Sequence, residues 1–157
     1  MKDQEIIFKG IIPPPILFFG LILTSFIAQW LFPLNLMFHK WVVRVLIVIP
    51  LFIASGLIAI NALLIMKKNK TAINFNNPTT KFIVEGSFRF TRNPLYLSLL
   101  IVMGGIVVGA NSAWHLIAFI ILFFFFNFGV VAREERYLEK NFGEEYIQYK
   151  NRVRRWI

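Results

Sequence analysis

The chain contains no cysteine. Disulfides, thiolate metal sites and thiol nucleophiles are thereby excluded together. Histidine is scarce: His39 and His115 stand far apart and outside any ligand-spaced cluster such as HExxH. Both are expected as interfacial or packing residues, and no metal site is expected. Charge is also thin, at 16% of 157 residues, and acidic groups are the rarer kind, 8 against 17 Lys and Arg. A net charge of +9 raises nucleic acid and anionic lipid as partners. The basic residues flank apolar runs and form no stripe interleaved with aromatics, so the expected partners are anionic lipid headgroups, with no nucleic acid.

What is abundant is apolar surface. Hydrophobic residues make up 57% of the chain and aromatics 17%. A soluble domain of this length could not bury that much, so an all-α integral membrane protein of one domain is expected. Four runs nearly free of charge lie at about 11–32, 41–66, 95–110 and 114–131. At about 1.5 Å per residue the first two cross a hydrocarbon core of about 30 Å. The last two are shorter and, with only Asn111 to Ala113 between them, read as a tight helical hairpin. The first run is too long for a signal peptide and reads as a retained span opened by Pro13 to Pro15.

Lys67, Lys68, Lys70, Lys81, Arg89 and Arg92 lie between runs two and three, and seven more basic residues from Arg133 to Arg155 follow run four. The positive-inside rule then puts both segments and both termini on the cytoplasmic side of a membrane, a bacterial inner membrane by the chain's short, bacterial-style features. Gly105 and Gly109 form a GxxxG pair beside Gly104, which suits close helix packing. Asn127, alone among the phenylalanines of FFFFNF, needs a partner and reads either as interhelical glue or as a pocket group.

Two segments next to the spans carry more pattern than a loop requires. The stretch from Lys67 to Pro94 is long, yet Ile73, Phe75, Phe82, Ile83, Val84, Phe88 and Phe90 punctuate it, so it should fold back on the membrane face. After run four, Leu138, Phe142, Tyr146, Tyr149, Val153 and Trp156 recur every three or four residues, predicting an amphipathic helix with a break at Gly143. Glu134 and Glu135 stand where span four should end. A helix C-terminus disfavours acids, so a cation is expected beside them: Arg133 or Arg136 at the surface, Arg89 or Arg92 from the preceding segment, or a ligand. Adjacent helical residues point about 100° apart, so one Glu should face any given site.

Taken together, VEGSFRFTRNPLYLS and, one hairpin later, REERYLEKNFGEEYIQYKNRV resemble the signature of the isoprenylcysteine carboxyl methyltransferase and phospholipid methyltransferase superfamily. The usual pattern is G-x-x-R-x-x-R-[HN]-P-x-Y with E-E-x-x-L after the last span. Gly86, Arg89, Arg92, Asn93, Pro94, Tyr96, Glu134, Glu135 and Leu138 match it. Asn93 stands where many members have His, and Ser98 where many have Gly. Asn keeps a hydrogen bond but cannot titrate.

The resemblance implies a membrane methyltransferase using S-adenosylmethionine on a lipophilic or small acceptor. It implies a cofactor site built by about 71–98 and 132–157, with Gly86, Arg89, Arg92, Asn93, Tyr96, Glu134 and Glu135 lining it and Arg92 and Glu134 nearest the chemistry. A carboxylate would meet the ribose or a cation, and Arg89 or Arg92 would fork the methionyl carboxylate. The acceptor stays open among prenylcysteine, a phospholipid amine, a thiol and other lipids. Two other readings stand beside this one: a nicotinamide-dependent membrane reductase of the sterol reductase type, and a non-enzymatic scaffold or lipid-binding protein.

Overall fold

The computed structural model describes residues 12–36, 40–69 and 82–157. The expectations that rest on His39, Lys70, Ile73, Phe75 and Lys81 fall outside them. Among the described residues the architecture is all-α. Helix α1 spans Pro14–Leu31, α2 Trp41–Lys68, α3 Pro94–Ala110 and α4 Ala113–Phe124. A π-helical segment, Phe125–Val131, joins α4 to α5, Ala132–Arg152. Proline opens α1 and α3, where a missing amide donor costs nothing.

Antiparallel pairing organises the bundle. The Ser55 hydroxyl of α2 donates to the Ser98 carbonyl of α3 at 3.0 Å, and farther along Gly105 meets Phe52 while Gly109 meets Val48. A Cβ on Gly105 would lie 2.4 Å from the Phe52 ring, whereas one on Gly104 would find its nearest atom 3.9 Å away. The GxxxG pair is therefore the α2–α3 contact, as expected. Helix α1 packs on α4, where buried His115 stacks edge-on against Phe26 at 4.4 Å. Phe18, Met103, Leu122, Phe126 and Val130 form the shared core.

The outer surface of the bundle is apolar. In α2 only Ser55 and Ala62 are buried, while side chains such as Leu46, Leu57 and Leu64 are more than 60% exposed. Water would make that costly at about 25 cal/mol per Å², and a bilayer removes the cost. Three helical runs are long and apolar enough to cross a membrane, and α3 is a shorter apolar helix of 10–17 residues. The protein is an integral membrane protein.

At one end of the bundle, polar groups tie the connections together. Ser112 donates to Gln29 Oε1 at 2.7 Å, Trp114 Nε1 donates to the Phe32 carbonyl at 2.7 Å, and Asn111, at φ +52°, turns the chain from α3 into α4. Arg44 donates to the Gly109 carbonyl at 3.1 Å, filling an acceptor at the end of α3.

One expectation fails. The helix of span four does not end before Glu134: helical backbone continues from Ala113 to Arg152. The break comes at Gly143, at φ +52° and ψ −129°. The helix-end argument for a cation beside Glu134 and Glu135 therefore does not hold, because the carbonyls there bond onward along the helix.

Candidate functional site

The opposite end of the bundle gathers the polar residues of the two motifs, and local geometry explains how. Gly86 opens a short 3-10 turn, Gly86–Arg89, at φ +57°. Any Cβ there would fall 2.0 Å from Ile65 Cδ1 and 2.5 Å from Asn61 Oδ1. Glycine thus lets the turn lie against α2, where the Ser87 amide donates to Asn61 Oδ1 at 2.8 Å. Arg89, which closes the turn, is exposed.

The chain then enters α3 through Thr91, Arg92 and Asn93, and here it meets the segment that follows α5. The Arg92 amide donates to the Arg154 carbonyl at 3.1 Å. The Thr91 hydroxyl and the Asn93 Nδ2 both donate to the Arg155 carbonyl, at 3.0 and 3.1 Å. Tyr149 reinforces the junction by donating to the Phe88 carbonyl at 2.7 Å. Phe82 packs on Phe142 and Tyr146 at 5.1 and 5.7 Å, which holds the segment before the turn onto α5. These bonds satisfy backbone groups that would otherwise be orphaned at a helix start.

Both carboxylates sit beside this junction with different partners. Tyr96 donates from its hydroxyl to Glu134 Oε2 at 3.3 Å. Glu135, 4% exposed, accepts from Arg92 Nη2 on Oε1 at 3.0 Å and from Arg155 on both oxygens, with Nε at 3.1 Å from Oε1. A buried carboxylate is tolerated when charge-assisted bonds of this kind surround it. Glu134, just past the apolar run, pairs with no cation among the described residues. Loss of solvent pushes its carboxyl up to about 7, the Tyr96 hydrogen bond pulls the other way, and the neighbouring Glu135 raises it further.

The π-helical segment adds a third layer. Its widened turn exposes the Asn127 backbone and side chain together. Arg155 Nη1 donates to Asn127 Oδ1 at 3.0 Å and to its carbonyl at 3.4 Å, and Trp156 Nε1 donates to the same Oδ1 at 3.2 Å. Asn127 is glue, as one of its two readings expected, though its partners come from the tail and not from another spanning helix.

The structure therefore brings Arg92, Asn93, Tyr96, Glu134 and Glu135 together. Gly86 instead faces α2, and Arg89 points away at the surface. Arg155 was missed by the sequence reading, because RVRRWI there suggested only a basic face toward lipid. The signal that could have found it is a run of cations with a Trp following an amphipathic helix, opposite two unexplained acids.

The cluster offers groups of both charges to a ligand. Arg92 has an 8% exposed side chain, yet its Nε and Nη1 are buried with no hydrogen-bond partner among the described residues. Unpaired buried N–H groups on a permanent cation suit an anion. Glu134 supplies the opposite charge nearby.

Fold and cluster define an integral membrane protein with a two-sided polar site where its helices meet the following tail. The chain belongs to the phospholipid methyltransferase family, whose model matches residues 43–145. Membership implies methyl transfer. An uncharacterized protein of Haemophilus influenzae is 43% identical over 65 residues, which is 40% of this chain and 100% of that protein. No solved structure matches the chain.

Proposed function

We propose that this protein is an S-adenosylmethionine-dependent methyltransferase acting on a lipophilic acceptor at the cytoplasmic face of a bacterial inner membrane. The observation that carries the cofactor assignment is the nearness of Arg92, whose buried N–H groups are unmatched among the described residues, to the Glu134 carboxylate, which pairs with no cation among them. In this reading Arg92 holds the methionyl carboxylate, Glu134 faces positive charge or ribose hydroxyls, and Tyr96 orients Glu134 through Oε2. Asn93 ties the wall of the site to the tail. Gly86 contributes by letting the turn approach α2, and Glu135 contributes by holding two arginines.

When bound, the cofactor supplies an already activated methyl. The protein's task is then alignment and exclusion of water. The apolar flanks of the bundle leave an acceptor free to arrive from the bilayer, while a polar cofactor arrives from the basic side. The positive-inside rule names that side as cytoplasmic, where Lys67, Lys68, Arg152 and Arg154 can also meet anionic headgroups.

Two measurements test the proposal. Purified protein in detergent should bind S-adenosylmethionine, and Arg92→Ala and Glu134→Ala should each weaken binding at least tenfold, as loss of a charge-assisted bond of about 1.5–3 kcal/mol predicts. Membranes with and without the protein should differ by one methylene in a lipid species by mass spectrometry. Binding of a nicotinamide cofactor with no affinity for S-adenosylmethionine would overturn the assignment.

A further inference from the structure

Two arginines meet at Glu135, and they do not share it equally. Arg155 takes the carboxylate side-on, Nε to Oε1 and Nη2 to Oε2. Arg92 touches it through Nη2 alone, at 3.0 Å. Guanidinium and carboxylate pair best through two parallel bonds, so the better seat on Glu135 belongs to Arg155. Arg155 is fixed there from two further sides. Its carbonyl accepts from Thr91 and Asn93, and its Nη1 donates to Asn127.

The consequence falls on Arg92. A guanidinium carries five N–H groups, and those on Nε and Nη1 of Arg92 are buried and unpaired among the described residues. Were Arg155 absent, Glu135 would have two oxygens to offer, and nothing in the cluster would stop Arg92 from closing on it as a fork. Its unmatched N–H groups would then be spent within the protein.

We infer that Arg155 is a positioning residue: by occupying the fork of Glu135 it keeps Arg92 open to an anionic group of the ligand. Glu135 thereby serves the protein's own arginines, and Glu134 is the carboxylate turned toward the ligand. This deepens the S-adenosylmethionine assignment and rests on it.

The test compares S-adenosylmethionine with its decarboxylated analogue, which lacks only the anion that Arg92 would hold. Dissociation constants for both are measured on the detergent-purified full chain. The wild type should prefer the carboxylate-bearing form by at least about tenfold. Arg155→Gln should lose most of that preference while its affinity for the decarboxylated form changes little. The double variant Glu135→Gln/Arg155→Gln should regain it, because a neutral amide cannot form the charged fork with Arg92. Arg155→Lys keeps the charge and one contact, and its preference should fall between wild type and Arg155→Gln. An undiminished preference in both Arg155 variants, or no recovery in the double variant, overturns the inference while leaving the cofactor assignment intact. Failure of the wild type to bind either compound removes the cofactor assignment itself.

Discussion

At the scale of single residues, Glu134 and Tyr96 make the site sensitive to pH in a defined direction. The Glu134 carboxyl moves from its ordinary 4.5 up to about 7. Burial therefore favours the protonated form up to about pH 7. Its contribution to stability is complete below about 4.5 and is lost as pH rises through about 7. Capture of a cation runs the other way, since it needs the ionised form. Affinity for S-adenosylmethionine should therefore climb as pH passes through about 7, and Glu134→Gln should flatten that slope in equilibrium binding. Tyr96→Phe removes the hydrogen bond that lowers the carboxyl. The midpoint of the binding profile should move upward in that variant. Much of this pair was visible in the sequence, because Tyr96 and Glu134 sit in spaced motifs. Their mutual contact was not visible, since it depends on α3 and the start of α5 lying side by side.

At the scale of elements, the hydropathy runs located α1 to α3 and the start of α4 within a few residues, since charge cannot enter a spanning stretch cheaply. The glycines of α3 were equally legible, and they are not equivalent. Gly105→Leu would drive a side chain into Phe52 and should destabilise the bundle by about 1–3 kcal/mol. Gly104→Ala has room, and the better helix propensity of Ala should leave stability unchanged or raised by up to about 1 kcal/mol. Thermal unfolding of both variants in one detergent separates them. The passage from α4 into α5 was the element hidden from sequence. The switch from FFNFGVV to REERYL marks a change of solvent, which composition records. A helix backbone crosses such a boundary without interruption when its side chains find partners on both sides. Arg155 was hidden for a related reason: a short cationic tail has no periodicity, and only three-dimensional proximity to Glu135 distinguishes a structural arginine from a lipid-facing one.

For the whole molecule, the lack of cysteine offers a direct check on orientation. Single cysteines placed at Lys40 and at Asn151, both exposed, report without background. An impermeant maleimide should label Lys40→Cys from outside intact cells stripped of their outer membrane, and Asn151→Cys only in inverted vesicles. Labelling of both from one side would contradict the four-span arrangement.

The π-helical segment also governs how much length variation the chain can absorb. A π turn holds one residue more than the α turn it replaces, so it acts as slack in an otherwise rigid rod. Deleting Phe128, whose side chain is 63% exposed, should let the segment tighten to α while the helix beyond keeps its bearing. If the segment did not tighten, the deletion would turn everything downstream by about 100°. Arg136 would then arrive where Glu135 belongs, between Arg92 and Arg155, and three like charges would meet in place of a clamp. Ligand binding should therefore survive the Phe128 deletion, so the site's tolerance for indels is set one turn upstream of the residues that form it.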